Sequence, residues 1–185
     1  SLREFLGVSF ALWPAVSTPV VVVVGEGEDG PGYNRVMWSE AGAWHEFAMG
    51  LDDFIHDEDS PEDPDGELTP EEINAIALVD AGGFIRFLAG ETGLFYAEPP
   101  AHQVLRLDDL KLRSIPPVRP APAEGTVTLS DYEYPLQGII ILGGKQVVAG
   151  KEDAEGGGEA LKLDYTVPEG TLMAVLHQVR PGTLA

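Results

Sequence analysis

The chain has 185 residues, eleven basic and thirty-one acidic, for a formal charge of −20. A field of that sign repels nucleic acid and anionic lipid and attracts cations and basic protein surfaces, so neither a nucleic acid nor a membrane is the expected partner. The apolar fraction of 44% is that of an ordinary globular domain. Cysteine is absent, which removes disulfides, thiolate chemistry and cysteine–zinc sites together.

The first residues, SLREFLGVSFALWPAV, contain an apolar stretch without a basic region ahead of a long hydrophobic one. PVVVVVG at 19–25 is too short to span a bilayer. Both point to a cytoplasmic protein. Val20 to Val24 are consecutive β-branched residues and predict a strand buried on both faces. The Gly-rich GEGEDGPG that follows predicts a loop.

Trp44, Phe47, Ala48, Leu51, Phe54 and Ile55 recur at steps of three and four, the spacing of one apolar helical face. Thr69-Pro70-Glu71-Glu72 has the form of a helix start, with Thr69 as cap and Glu72 closing a capping box. Gly82-Gly83 would end that helix. FIRFL at 84–88 and LFYAE at 94–98 read as two strands of a hairpin. Val104, Leu105 and Leu107 begin a further strand.

Residues 116–125, PPVRPAPAEG, read as an extended connector. Beyond it, short apolar runs at 126–129, 138–142, 146–149, 160–167 and 171–179 are separated by Gly and Pro turns. The expected fold is α+β and β-rich, with an antiparallel sheet, a few short helices in the N-terminal half and a mainly β C-terminal third. Residues 1–115 form an α+β region and 126–185 a β-rich region, packed together as one unit.

Between Asp52 and Glu72 lie eleven carboxylates and no lysine or arginine. One reading is a calcium loop. With Gly66 at the sixth position of an EF-hand, Asp63 takes the third, Asp65 the fifth, Glu67 the seventh through its carbonyl, and Glu72 the twelfth. Pro61 then falls at the first position and offers no side-chain oxygen. No second DxDG loop occurs to pair with it, so no cofactor is expected and Ca2+ is the alternative. The other reading is a partner-facing surface of Asp52, Asp53, Asp57, Glu58, Asp59, Glu62 and Asp63, with Phe54 and Ile55 as apolar neighbours.

Signals for catalysis are weaker. His45, His56, His102 and His177 belong to no HExxH, HxH or triad pattern. Ser39 and Ser130 lack a nucleophile-elbow setting. The many acidic residues single out no glycosidase pair. An unassigned hydrolase is the weakest alternative, and no catalytic residue is nominated.

Trp13, the apolar run Pro19 to Val24, Tyr33-Asn34-Arg35 and the Gly93-Leu94…Glu98-Pro99 segment occur in that order. In this order, over about residues 10 to 110, the chain resembles small α+β immunity proteins of bacterial polymorphic-toxin systems. The resemblance implies a non-catalytic protein that binds and neutralises a toxin. Charge independently favours a basic protein partner.

Overall fold

The computed structural model describes residues 6–99, 101–115, 136–153 and 159–179. The fold is α+β, dominated by antiparallel strands. In chain order come β1 (Gly7–Pro14), β2 (Thr18–Glu26), β3 (Gly32–Ser39), β4 (His45–Gly50), β5 (Ile55–His56) and β6 (Ile73–Asp80). Helix α1 (Gly82–Thr92) and β7 (Leu105–Arg113) follow. The C-terminal part carries β8 (Ile139–Gly143), β9 (Lys145–Asp153), β10 (Glu159–Thr166) and β11 (Met173–His177). The expected connector at 116–125 and the strand at 126–129 lie outside the described residues.

One sheet has the order β4-β1-β7 and a second the order β5-β3-β2-β6. Their inner faces share one core. Val20, Val22 and Val24 of β2 meet Val8, Phe10 and Leu12 of β1 and Phe47 and Met49 of β4 there. Val21 and Val23 are half-buried on the other face, so β2 alternates where the unbroken valine run predicts two fully buried faces.

The second sheet continues into the C-terminal part. β5 pairs with Tyr33 and Asn34 at the start of β3. Further along, Trp38 N–H donates to the Leu136 carbonyl (2.8 Å), and Gly138 N–H to that of Val36 (2.6 Å). Trp38, Leu136, Ile139, Ile141 and Ala149 form a second core. The pairings β8–β11 and β9–β10 bear out the C-terminal strands within the described residues.

The strand β7 carries a bulge. Leu107 lies opposite Leu12 and Leu112 opposite Val8, but the register shifts between Ser9 and Ala11. Asp109, at φ 55°, absorbs the extra residue. Leu110 and Leu112 thereby stay on the same sheet face as Leu105 and Leu107.

Three helical or hairpin expectations are corrected. Residues 44–55 form β4, a 3-10 turn over Leu51–Asp53, and β5. Phe47 and Met49 alternate into the core beside β1, and this pairing overrides the spacing of three and four. The segment from Thr69 is not a helix. It makes a turn in which Glu72 N–H donates to the Thr69 carbonyl (3.0 Å), then becomes β6 along the open edge of β2. Ile76 and Leu78 pack on the first core from that edge. Conversely, the expected first hairpin strand at 84–88 lies within α1. Ile85 and Ala89, one turn apart, face inward, and Gly93 in the left-handed region (φ 62°) ends the helix. That helix is also the one α-helix of the described residues, and it is not long and apolar enough to cross a membrane.

Phe54 is 1% exposed and belongs to the first core. Phe54→Ala should therefore cost about 3–5 kcal/mol in chemical denaturation, with the cavity left behind adding to the lost burial. A cost below about 1 kcal/mol would show that the ring is dispensable to the core.

Candidate functional site

The acidic segment is a loop tied to the β5-β3-β2-β6 sheet at several points. At its start, Asp57 N–H donates to the Gly32 carbonyl (2.8 Å), beside β3. The Ser60 hydroxyl donates to the Asp57 carbonyl (2.6 Å) and accepts from Gly32 N–H (2.9 Å). His56 Nε2 contacts the Pro61 carbonyl at 3.0 Å, and its ring stands edge-on to Tyr33. His56 thus fastens the loop from β5, with the Ser60 hydroxyl 3.4 Å from the same ring nitrogen.

Two deeper tethers follow. Tyr33, whose ring lies in the first core, donates its hydroxyl proton to Asp63 Oδ2. Glu26, at the end of β2 and only 3% exposed, accepts the Thr69 N–H. Thr69 therefore works through its backbone, while its hydroxyl donates only to the neighbouring Glu67 carbonyl at 3.3 Å. Between the tethers the carboxylates order their own chain. Asp63 Oδ1 accepts from Asp65 N–H (3.3 Å), and Asp65 Oδ1 accepts from Glu67 N–H (3.1 Å).

Electrostatics divides these groups. Burial pushes the Glu26 carboxyl above its ordinary range, the Thr69 N–H opposes this, and the charges of Asp63, Glu72 and Asp65 add to the rise. Burial also pushes the Tyr33 phenol far up, helped by its hydrogen bond to Asp63. Asp63 moves the other way, because the Tyr33 hydroxyl stabilises its ionised form.

Of the residues assigned to a partner surface, Asp52, Glu58, Asp59 and Glu62 are exposed, and Asp57 and Asp63 are half-exposed. Asp53 is corrected. It is 6% exposed and accepts the Gly50 N–H at 2.7 Å, which closes the 3-10 turn. Phe54 and Ile55 likewise belong to the interior rather than the surface. Among the assigned calcium ligands, Asp63 is engaged by Tyr33, while Asp65, Glu67 and Glu72 point from the exposed rim. Among the described residues, no group of three or more His, Asp or Glu side chains is placed to hold a metal ion.

Sequence reasoning missed Glu26 and Tyr33 as the residues that hold the loop. The available signal was a glutamate directly after a buried valine run, and a tyrosine in strand alternation with Arg35 and Met37. No protein-family model, curated protein or solved structure matches this chain.

Two substitutions probe the tethers. Glu26→Gln keeps an oxygen for the Thr69 N–H and removes a buried charge, so it should raise the melting temperature at about pH 7. Because the folded carboxyl titrates above its unfolded range, the wild type loses this handicap as acid protonates Glu26. The gain should accordingly vanish toward about pH 4. Tyr33→Phe keeps the ring and removes the hydroxyl. It should speed amide hydrogen exchange at Asp65 and Glu67 at neutral pH, and the difference should shrink as acid protonates Asp63. Exchange unchanged at neutral pH would show that the Tyr33 hydroxyl does not hold the loop.

Proposed function

We propose that this chain is a non-catalytic binding protein that engages a basic protein surface through the loop at 57–67. The observation that carries the reading is the combination of uncompensated negative charge with a fastened backbone. Glu58, Asp59 and Glu62 reach solvent from a segment whose backbone and inward-facing groups are held by Gly32, Tyr33 and Glu26. A fastened loop loses less conformational entropy on binding than a free acidic tail, so more of the electrostatic attraction appears as affinity. Between Val36 and Ile85 the chain has fourteen carboxylates and no basic side chain, so no lysine or arginine within that stretch cancels the attraction.

In the immunity-like form of this reading, the partner is a toxin with a basic substrate-holding surface, and an acidic loop seated there excludes the substrate. A cytoplasmic site of action belongs to the same form. Enzymatic activity, nucleic acid and membrane play no part in it.

Capture of partners with tagged protein at low and high salt, followed by mass spectrometry, tests the reading first. Basic proteins should be retained at low salt and released at high salt. With a captured partner, Glu58→Gln/Asp59→Asn/Glu62→Gln should slow association about tenfold at low salt, and added salt should shrink the difference. These three side chains are exposed and take no part in the tethers, so the fold should remain intact. Unchanged association at low salt would place the interface elsewhere.

A further inference from the structure

Lined by no residue of the acidic loop, a cavity of about 370 Å3 opens where α1 meets the start of β2, the end of β3 and strands β8 and β9. Its size falls near the lower end of the range of about 300–1,000 Å3 for small-molecule sites. Trp38, Ile85, Ala89, Tyr96, Ile141 and Val147 contribute much of the apolar wall. An apolar wall of this kind favours an apolar ligand body, because seating it removes both surfaces from water.

The polar groups of the cavity are unequal. Glu40 is already saturated. Its Oε1 accepts from the Ser17 hydroxyl, and its Oε2 accepts from Trp38 Nε1–H (3.1 Å) and Ala149 N–H (2.8 Å). Glu98 stands exposed at the rim and accepts the Gln146 N–H at 2.8 Å. Asp80, behind the lining beside the start of α1, is held by the Thr18 hydroxyl and by Gly82 N–H at 2.9 Å. Arg86 differs from all three. It is half-buried in the cavity lining, and among the described residues no hydrogen bond or ion pair engages its guanidinium. A guanidinium presents a planar fork of donors that matches a carboxylate.

We propose that this cavity binds a small apolar carboxylic acid, its hydrocarbon body against Trp38, Ile85 and Val147 and its carboxylate on Arg86. The net charge of −20 opposes entry of any anion. A preference for the acid over the matching neutral alcohol must therefore come from local pairing.

Phenylbutyrate and phenylbutanol serve as probes, titrated into the full chain by calorimetry, with amide shifts followed by NMR. The acid should bind at one saturable site, about tenfold more tightly than the alcohol. Amide shifts should centre on Ile85, Ala89 and Val147. Arg86→Gln should abolish the preference for the acid and leave alcohol binding in place, and Arg86→Lys should keep part of it. Equal affinity for acid and alcohol in the wild type overturns the proposal, and so does unchanged acid affinity in Arg86→Gln. Absence of saturable binding, or shifts centred elsewhere, also overturns it. The comparison of probes on the wild type decides the matter even if a variant is unstable.

Discussion

Burial of one face of β2 is the interaction on which the rest of this structure depends. Val20, Val22 and Val24 are fully buried, and both edges of the strand are paired, with β3 on one side and β6 on the other. Each valine shields the hydrogen bonds of its neighbours from water while it packs on Phe10, Phe47 and Met49. The strand ends at Glu26, where the apolar face gives way to a carboxylate with no exit to solvent. That carboxylate finds its donor in the Thr69 backbone. At Glu26 a core strand and a surface loop are joined.

The arrangement explains how so much like charge can sit in one ordered segment. Repulsion among carboxylates disfavours any compact loop. Here neutral donors meet the carboxylates, inward through the Tyr33 hydroxyl on Asp63 and the Thr69 N–H on Glu26 and at the exposed rim through the N–H groups of Asp65 and Glu67, while Glu58, Asp59 and Glu62 face water. Asp63 has its negative charge stabilised by Tyr33, while Glu26 pays for burial with a raised affinity for protons. The loop is thus held by groups whose proton affinities move in opposite directions.

The fold class was legible in the sequence, and so was the strand character of 20–24, 139–143 and 160–166, because β-branched and alternating residues dominate there. The region from Trp44 to Leu88 was not. Phe47, Leu51 and Phe54 satisfy a helical spacing, but Phe47 and Met49 also satisfy a strand alternation, and only the presence of β1 alongside decides between them. Thr69 to Glu72 has every local mark of a helix start, yet the open edge of β2 offers a row of backbone partners that a helix could not use. In α1 the opposite occurs. Phe84, Phe87 and Leu88 favour a strand locally, but they remain exposed while Ile85 and Ala89 face inward. The dense charge of the candidate site was visible at once. Its anchors were not, because Glu26 and Tyr33 are distant in sequence from Thr69 and Asp63, and nothing in a linear string joins them.

The extra residue in β7 bears on how this gene can change. A strand tolerates substitution one side chain at a time, but its facing is a matter of counting. Removal of the codon for Asp109 would take out the bulge and the extra residue together and leave Leu105, Leu107, Leu110 and Leu112 in strict alternation on the same face. Loss of the bulge alone, with the residue kept, would instead exchange a greasy margin for a charged one, with Asp109, Lys111 and Arg113 in phase with Leu105 and Leu107. For a lineage drifting along this strand, length and bulge are free to change only together.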